Sequence, residues 1–499
     1  MTENTGQAES TVHERDRRTS AIDLSRAPST GILINGEWRQ RDDTFPVLDK
    51  FVQLPSAYVS TAGPDDLADA VNLAKEFTGS HTLPGATRAL ILERTAELVE
   101  RHREQFAQML AVEGGFTSRD ANGEVSRAVT TLRICAVQAT QFGGRTAHFG
   151  ATLGADARTA FTRRFPLGLV CAITPFNSPL NVVLHKIGPA IAAGNAAILK
   201  PSPHAPLTAG LVCQLLLEAG LPPQLISVVN SSKTGVVEQL LAEPRIDFYA
   251  FTGSTAVGRV IAQGAGIRRS QLELGSISST IICRSAQLEV AIPKVANAAF
   301  RKAGQVCTST QRLYIAREVF NEAATMLAAK VTELRVGDPL DADVSIGPMI
   351  SSLSVDRVSA LVGRAVQRGA TLITGGIPDG TLFPPTILTD VLPEDPILHQ
   401  EIFGPVVCLI PFDNFGAAID AANDTPFGLS CGVFTNNVSE VNEAMVRLRF
   451  GSVHINEASS ARVDEMPFGG VKDSGRGLEG PRYAIQEMTE ERLITINPL

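Results

Sequence analysis

The sequence predicts an α/β fold made of two domains. Between residues 166 and 275, short apolar runs alternate with helical segments. After Glu273 the same alternation starts again and continues to about residue 485. A chain of 499 residues is long enough for two or more domains, each with its own buried core. Such alternation is typical of a parallel sheet with helices on its faces.

Composition and charge limit the kinds of partner that the chain can bind. The 44% hydrophobic and 19% charged residues are typical of a soluble globular protein. A net charge of -8 leaves no basic stripe of the kind that nucleic acid or an anionic membrane requires. We therefore expect a small-molecule partner, and neither nucleic acid nor a membrane.

Cysteine usage and hydropathy predict a cytoplasmic protein. The seven cysteines are scattered and form no CxxC pair, which predicts a reducing compartment without disulfides and without a metal site. No apolar run reaches the roughly 18 residues that a membrane span needs. Residues 1–30 are polar and mixed in charge, so we expect a disordered N-terminal extension rather than a signal peptide.

The first ordered elements are a short strand and a set of amphipathic helices. We place the strand at residues 32–38 and the helices at residues 64–77, 86–113 and 124–143. The last helix carries Arg127 and Arg133. Both arginines are compatible with a solvated helix face or with binding an anion.

The alternating segment from residue 166 predicts a dinucleotide-binding domain. We expect strands at residues 167–173, 196–200, 226–230 and 246–251. We expect helices at residues 179–193 and 207–219, one ending near residue 243 and one starting at Thr255. Ligands of such sheets bind at the carboxyl ends of the parallel strands.

The second alternating segment predicts another α/β domain over residues 276–485. We expect its strands at residues 280–283, 312–315, 371–374, 406–411, 432–434 and 452–455. We expect its helices up to about residue 302 and at residues 320–334 and 354–369. Residues 491–499 are apolar and extended, and such a tail usually needs the edge of a partner sheet.

Residues 251–258 read FTGSTAVG, where a strand turns into a helix. Gly253 allows close approach of a phosphate, and a helix starting at Thr255 presents free N–H groups to it. This signal is weaker than a full GxGxxG motif. An ordinary turn between strand and helix explains it equally well.

Two further strand ends carry polar side chains. Lys200 ends one strand, where its ammonium suits ribose hydroxyls or a phosphate, or merely caps the strand. Thr174, Pro175, Phe176 and Asn177 follow another strand. The Asn177 amide is suited to donate to a developing oxyanion or to cap a helix.

Glu273 and Cys307 have the chemistry of a general base and a nucleophile. Glu273 closes an apolar run, and Cys307 opens a short polar one. The other six cysteines sit in apolar segments, where thiols usually pack as small hydrophobes. The pair can act together only if the fold brings them into contact.

Taken together, these segments resemble the aldehyde dehydrogenase superfamily. Residues 401–405 read EIFGP and residues 466–472 read MPFGGVK, in the order and at close to the spacing of that family. The separation of Glu273 and Cys307 also matches. The resemblance runs from about residue 32 to the C-terminus. It implies NAD(P)-dependent oxidation of an aldehyde to a carboxylate.

The resemblance also implies a fold and an assembly. The fold has a Rossmann-type cofactor domain (31–144 and 167–275), an α/β catalytic domain (276–485) and a small β oligomerisation element (145–166 and 486–499). Residues 1–30 are the disordered extension. A homodimer or homotetramer is expected.

The family implies a role for each site residue. Cys307 is the nucleophile, Glu273 the general base and Asn177 an oxyanion donor. The cofactor site is implied at Thr174, Pro175, Phe176, Lys200, Ser202, Gly253, Ser254, Gly258, Leu274, Glu401 and Phe403. The cofactor is NAD, with NADP also possible, because Pro203 stands where a carboxylate often contacts the adenosine ribose.

The region of residues 453–475 resembles a narrower branch of the family. It looks like the lactaldehyde, non-phosphorylating glyceraldehyde-3-phosphate and phosphonoacetaldehyde dehydrogenases. In that comparison Arg133 and Arg462 match positions that bind the anionic group of the substrate. Val306 stands where relatives that handle phosphate or phosphonate commonly have an arginine before the nucleophile.

We therefore expect a small anionic aldehyde, such as phosphonoacetaldehyde or phosphonoformaldehyde. Neutral or carboxylated aldehydes, such as lactaldehyde or semialdehydes, are the alternative. The intact Glu273 argues against CoA-acylating oxidation, and the intact Cys307 and Asn177 argue against a catalytically silent binding protein. A cysteine hydrolase lacks a recognisable histidine partner.

Overall fold

The structure is a computed structural model that describes residues 21–141, 143–153 and 158–497. Residues 1–20 of the predicted disordered extension, and residues 142, 154–157, 498 and 499 of other predicted segments, lie outside the described residues. The described end of the extension is packed. Ser29 is buried and donates a hydrogen bond to the Leu207 carbonyl at 3.0 Å.

The described strands, in chain order, are β1 (Ile32–Ile34), β2 (Glu37–Arg39), β3 (Thr44–Leu48), β4 (Pro55–Ser60), β5 (Thr146–Ala147), β6 (Thr159–Pro166), β7 (Leu169–Ile173), β8 (Ala196–Lys200), β9 (Ile226–Val228), β10 (Phe248–Thr252), β11 (Arg269–Glu273), β12 (Ser278–Ile282), β13 (Thr310–Ala316), β14 (Thr371–Thr374), β15 (Thr386–Thr389), β16 (Val406–Phe412), β17 (Ser430–Phe434), β18 (Ser452–Ile455), β19 (Gly475–Arg476) and β20 (Thr489–Ile496).

The described α-helices are α1 (Pro64–Ser80), α2 (Gly85–Arg101), α3 (Arg103–Gly114), α4 (Ser118–Gln141), α5 (Asn181–Ala193), α6 (Pro206–Glu218), α7 (Gly235–Ala242), α8 (Thr255–Ala265), α9 (Leu288–Phe300), α10 (Phe320–Thr332), α11 (Ser352–Gln367), α12 (Phe415–Asn423), α13 (Val438–Arg447) and α14 (Pro481–Glu487).

One sheet has the strand order β19-β11-β10-β7-β8-β9-β1-β2. Strands β11, β10, β7, β8 and β9 run parallel, and β19, β1 and β2 extend the two edges antiparallel. Strands β7, β8 and β10 are buried along their whole length, because helices cover both faces. The predicted parallel sheet is thus confirmed.

The register of this sheet aligns four strand ends. Ile173 pairs with Lys200, Phe251 pairs with Ile173, and Thr252 pairs with Glu273. Because the strands are parallel, these carboxyl ends meet at one edge. The segments that follow them therefore converge on one place.

A second sheet has the order β14-β15-β16-β13-β12-β17-β18 and is parallel except for the β14–β15 pair. A third, antiparallel sheet joins β20, β6 and β5, with pairing from Thr489 opposite Pro166 to Ile496 opposite Thr159. β19 lies within the predicted catalytic range 276–485, but it hydrogen-bonds to β11 of the first sheet. The domain division drawn from the sequence stays a prediction.

Three early elements differ from the sequence prediction. The predicted strand 32–38 is a hairpin, because Asn35 and Gly36 take positive φ values of 53° and 81° and turn the chain. The predicted helix 86–113 is interrupted at His102, so α2 and α3 are separate. The hairpin of β3 and β4 was missed. Across the described residues, no helix is both long and apolar enough to cross a membrane.

Candidate active site

Two cavities meet at Cys307. A larger cleft of about 400 Å³ lies along the carboxyl edge of the first sheet. A smaller cavity of about 50 Å³ lies on the other side of the thiol. Asn177, Glu273 and Cys307 line both cavities, so the fold brings together the three residues predicted for catalysis.

Cys307, the predicted nucleophile, follows a tight turn between α9 and β13. Lys302, Ala303 and Gly304 take positive φ values of 52°, 51° and 67° in succession. A Cβ at Gly304 would lie 2.1 Å from the Gly404 carbonyl oxygen, so this close approach requires glycine. Cys307 follows and is partly exposed, whereas the other six cysteines are buried.

Asn177 is fixed against the nucleophile turn. It follows β7, and its Nδ2 donates to the Gln305 carbonyl oxygen at 2.9 Å. The Gln305 side chain is itself held, because its Oε1 accepts from the Ile350 N–H at 2.9 Å. The amide of Asn177 is therefore preorganised beside Cys307, as oxyanion stabilisation requires.

Glu273 and Cys307 influence each other's protonation. Glu273 is 3% exposed. Burial, together with the negative charge of Glu479, raises the pKa of the Glu273 carboxyl to about 7. Burial and the charge of Glu273 raise the pKa of the Cys307 thiol well above its usual range, and Arg462 opposes this only in part. The resting thiol is therefore neutral, and the Glu273 carboxyl titrates near neutral pH.

Glu479 is a buried charge centre that the sequence did not suggest. Its Oε1 accepts from Lys186 Nζ at 2.5 Å and from Thr252 Oγ1 at 3.0 Å. Its Oε2 accepts from Arg462 Nη2 at 2.7 Å. Despite the desolvation of the site, these cations hold the pKa of the Glu479 carboxyl well below its usual range. Glu479 therefore stays ionised and acts on Glu273 across the site.

The larger cleft has the features of a dinucleotide site. Ser254 caps α8 by accepting from the Val257 N–H at 3.4 Å, and the N-terminus of α8 faces the cleft. Lys200 lines it too, and burial lowers the pKa of its ammonium to about 8. A helix N-terminus beside a lysine suits a pyrophosphate and its ribose.

The far end of the cleft is made by Glu401 and Phe403. Glu401 Oε1 accepts from the Ser276 N–H at 3.0 Å, and burial raises the pKa of the Glu401 carboxyl to about 7. Phe403 has a positive φ of 47° and packs edge-on against Phe176, with ring centroids 5.9 Å apart. Phe176 and Phe403 therefore line the same cleft as Cys307.

Most residues predicted for cofactor binding line this cleft, namely Thr174, Pro175, Phe176, Lys200, Ser202, Gly253, Ser254, Leu274, Glu401 and Phe403. Gly258 is not among the lining residues. It allows α8 to pack on Leu274, because a Cβ there would lie 2.2 Å from a Leu274 methyl carbon. Its contribution to the cleft is therefore indirect.

The smaller cavity is lined by three arginines, Arg127, Arg301 and Arg462. The structure does not place Arg133 there: its side chain is 54% exposed and pairs with Glu93 at 3.3 Å. Six residues along one helix rotate the side-chain direction by roughly 240°, so Arg127 and Arg133 do not share a face. The anion role predicted for Arg133 does not fit its position.

Arg127 and Arg301 were missed as cavity residues. Arg127 makes a two-pronged contact with Asp464, from Nε at 3.2 Å and from Nη2 at 2.7 Å. Asp464 lies 337 residues away, and no local pattern announces that pairing. Arg301 lies in the turn before Cys307. Its short separation from Cys307 in the sequence was the one available signal that it lies near the site.

The site and fold together define a class of protein, an NAD(P)-dependent oxidoreductase that acts on aldehydes. Residues 38–494 match the Aldehyde dehydrogenase family, and the chain belongs to that family. The expected fold is confirmed by solved structures, such as a glyceraldehyde-3-phosphate dehydrogenase GapN from Methanocaldococcus jannaschii complexed with NADP. That structure has a TM-score of 0.89 and 32% identity, and the match covers 92% of this chain and 100% of the other.

Relatives with named substrates are similar over nearly the whole chain. A 3-sulfolactaldehyde dehydrogenase from Priestia aryabhattai is 41% identical over 474 residues, which is 95% of this chain and 99% of the relative. A lactaldehyde dehydrogenase from Methanococcus aeolicus is 33% identical over 471 residues, 93% of this chain and 100% of the relative. These relatives confirm the expected branch of the family.

Proposed function

We propose that this protein oxidises a small anionic aldehyde to the carboxylate, with Cys307 as nucleophile and Glu273 as base. The observation that carries the proposal is the cavity of about 50 Å³ beside Cys307, which Arg127, Arg301 and Arg462 line. Its size suits an aldehyde of a few carbons. Its three guanidiniums suit a sulfonate, phosphonate or carboxylate group.

The first chemical step uses Asn177, Glu273 and Cys307, which line both cavities. Glu273 takes the proton from the Cys307 thiol, and the thiolate attacks the aldehyde carbon. The carbonyl oxygen becomes an oxyanion that the Asn177 amide and the Cys307 backbone N–H stabilise. A neutral resting thiol makes this proton transfer necessary, since the thiolate is the nucleophile.

The cleft fits NAD or NADP, which when bound accepts the hydride released as the thiohemiacetal becomes a thioester. Lys200 and Glu401 would hold its riboses, and Ser254 with the N-terminus of α8 its pyrophosphate. Phe403 would pack near the nicotinamide. These residues orient the ring and exclude water from the thiol.

Thioester hydrolysis completes the cycle. After Glu273 has released the thiol proton to solvent, it takes a proton from water, which attacks the thioester carbonyl, and Cys307 leaves as the thiolate. Its pKa of about 7 suits Glu273 to accept that proton at neutral pH. The Lys186–Glu479 pair, at 2.5 Å, lies behind it and keeps a negative charge in the site.

Arg301 is the arginine best placed to bind the anion. Within the part of the chain that the structure describes, its guanidinium makes no ion pair or hydrogen bond. The Nε of Arg462 is buried and has no hydrogen-bond partner either. Arg127, in contrast, is already held by Asp464. An anionic substrate group would satisfy donors that the protein leaves open.

The test measures kcat/KM for sulfoacetaldehyde, phosphonoacetaldehyde and succinic semialdehyde against neutral propionaldehyde. Arg301→Ala should lower kcat/KM for the anionic aldehydes by about 10-fold to 10²-fold, because a charge-assisted hydrogen bond contributes about 1.5–3 kcal/mol. Propionaldehyde turnover should change less than about twofold. The matched control is Arg133→Ala, which removes an exposed arginine outside the cavity and should leave both activities unchanged.

If Arg301→Ala lowered kcat/KM equally for anionic and neutral aldehydes, the proposed anion-binding role of the cavity would be wrong. The aldehyde oxidation itself would still hold, with a neutral substrate such as lactaldehyde. A strong preference of the unaltered enzyme for one of the anionic aldehydes would identify the anionic group of its substrate. The same comparison therefore distinguishes the phosphonate substrate predicted from the sequence from a sulfonate substrate like that named for the Priestia relative.

For the cofactor, we propose that the enzyme prefers NAD and also accepts NADP. Pro203 lines the cleft close in sequence to Lys200 and Ser202, so no carboxylate stands at that position to contact a ribose 2′-hydroxyl or repel a 2′-phosphate. Reduction of each cofactor, followed at saturating aldehyde, gives the ratio of kcat/KM. A ratio in favour of NADP would contradict the preference for NAD, and a ratio above about 10³ in favour of NAD would contradict dual use.

For the assembly, we propose that the sheet of β20, β6 and β5 joins subunits of a homodimer or homotetramer. β20 carries exposed apolar side chains, with Leu493 57% and Ile496 56% exposed. An exposed edge strand of this kind readily pairs with a strand of another subunit. Light scattering after gel filtration should give a multimer that is lost on deleting residues 489–499; a monomeric full-length enzyme would contradict the proposal.

A further inference from the structure

Lys302 and Glu124 form a buried ion pair beside the catalytic residues. Lys302 Nζ lies 2.8 Å from Glu124 Oε2, and the two side chains are 8% and 1% exposed. Neither residue takes part in the chemistry proposed above. A buried ion pair is costly to desolvate, so stability alone does not explain it.

Glu124 organises the segment that carries Asn177. It lies on α4, and its Oε1 accepts from Ser178 Oγ at 2.7 Å and from the Asn181 N–H at 3.0 Å. Its Oε2 accepts from the same Ser178 hydroxyl at 2.8 Å as well as from Lys302. The carboxylate therefore holds the start of α5 directly behind the oxyanion donor.

Lys302 links that segment to the nucleophile turn. Besides Glu124, its Nζ donates to the Asn177 carbonyl oxygen at 3.0 Å. Its own carbonyl accepts from the Gln305 N–H at 3.1 Å, two residues before Cys307. Lys302 thus contacts the backbone of both segments, at Asn177 and at Gln305.

Lys302 also lines the smaller cavity, but its donors are committed. One N–H faces Glu124 and one faces the Asn177 carbonyl. The ammonium also sits 4.0 Å above the Phe116 ring, in cation–π contact. An ammonium satisfied in this way is poorly placed to bind a substrate anion.

We propose that Lys302 is a positioning residue that, held by Glu124, sets the distance between the Asn177 amide and Cys307. The inference rests on the roles proposed for Asn177 and Cys307. Two contacts cross-link the segments: Lys302 Nζ to the Asn177 carbonyl, and Asn177 Nδ2 to the Gln305 carbonyl. Removing one loosens the other, so the two residues act as a unit.

The experiment is a double-mutant cycle of Lys302→Met and Asn177→Ala, read as kcat per folded enzyme on propionaldehyde and on sulfoacetaldehyde. Asn177→Ala should lower kcat by about 10²–10³, as for the loss of one oxyanion donor. Lys302→Met should lower kcat by about 10-fold to 10²-fold on both aldehydes, with KM for the cofactor within about twofold. In the Asn177→Ala background, the further loss should be under about threefold.

Other outcomes separate this inference from the proposed function. A full additional loss from Lys302→Met in the Asn177→Ala background would overturn the positioning role alone. A KM increase confined to sulfoacetaldehyde would make Lys302 a substrate ligand, and a lowered Tm with unchanged kcat would make it structural. An unchanged kcat in Asn177→Ala would overturn the oxyanion role and this inference with it.

If Lys302→Met fails to fold because it strands the Glu124 charge, the paired variant Glu124→Gln with Lys302→Met replaces it. That variant removes both charges with little change in side-chain volume. It should fold and show the same kcat loss and the same non-additivity with Asn177→Ala. A wild-type kcat in the paired variant would overturn the proposal.

Discussion

The two cavities at Cys307 are built in different ways. The larger cleft is walled by segments that follow neighbouring strands of one sheet, where Ile173, Lys200, Thr252 and Glu273 are aligned by strand register. The smaller cavity is walled by side chains from α4, from the turn after α9 and from a loop near Arg462. Ion pairs between side chains hold the walls of the smaller cavity together, whereas backbone pairing between strands holds the walls of the larger cleft.

This difference separates what the fold fixes from what can vary. Backbone hydrogen bonds between strands fix the walls of the larger cleft. A changed side chain there therefore alters contacts within the cleft but leaves the backbone in place. Around the smaller cavity, Asp464, Glu479 and Glu124 hold the cations in place. A single substitution there can change which aldehyde fits while the fold stays the same.

The largest expected effect belongs to the thiol that both cavities share. Cys307→Ala should lower kcat by about 10⁴-fold or more, because no other group forms the covalent intermediate. Cofactor affinity, measured by calorimetry, should stay within about threefold. Substantial remaining activity would mean that the two cavities do not meet at the reacting atom.

Loss of the base should be the next largest effect. Glu273→Gln should lower kcat by about 10²–10⁴. With a carboxyl pKa of about 7, the unaltered enzyme should lose kcat/KM as the pH falls below about 7, since protonation removes the base. Profiles of kcat/KM between about pH 5.5 and 8.5 should show this decline at low pH for the unaltered enzyme, and Glu273→Gln should lack it. A pH-independent rate in the unaltered enzyme would contradict the assignment.

A smaller and more selective effect tests the separation of the two sides. Lys200→Met should raise KM for the cofactor by about 10-fold to 10²-fold, because it removes a charged hydrogen-bond donor from the cleft. KM for the aldehyde should not change. Steady-state kinetics with each substrate varied in turn checks this, and a parallel rise in aldehyde KM would show that the two sides are coupled.

The last effect concerns stability and leaves the chemistry aside. Burial raises the pKa of Glu401 to about 7, so the folded state binds more protons than the unfolded state from about pH 4.5 to 7, and stability falls as pH rises through that window. Glu401→Gln should gain up to about 3 kcal/mol relative to the unaltered protein between pH 5 and 8. Urea unfolding at fixed protein concentration measures this. The control is Glu97→Gln on the exposed face of α2, and an equal gain there would contradict the explanation.

The sequence was informative where function depends on local pattern. Gly253 and Lys200 lie in local patterns at strand ends, whereas the full set of cofactor residues, Glu401 among them, followed from the family resemblance of such short motifs. Nearly every residue of that set lines the cleft. The parallel sheets were predicted for the same reason, since strand and helix periodicity is local.

The remaining parts depend on contacts between distant residues. Lys302 and Glu124 are 178 residues apart, and Arg127 and Asp464 are 337 apart. A charged residue on a helix looks the same in sequence whether it faces solvent, as Arg133 does, or a cavity, as Arg127 does. The choice between them depends on how α4 is rotated against its neighbours, and single-sequence periodicity did not resolve it.

The neutral resting state of Cys307 has a consequence for the lifetime of the enzyme. Peroxides and alkylating agents attack thiolates, and burial together with the charge of Glu273 raises the pKa of this thiol, so the sulfur stays protonated in the resting protein. An enzyme that handles electrophiles throughout its working life is thereby spared needless damage to the one atom that it cannot replace.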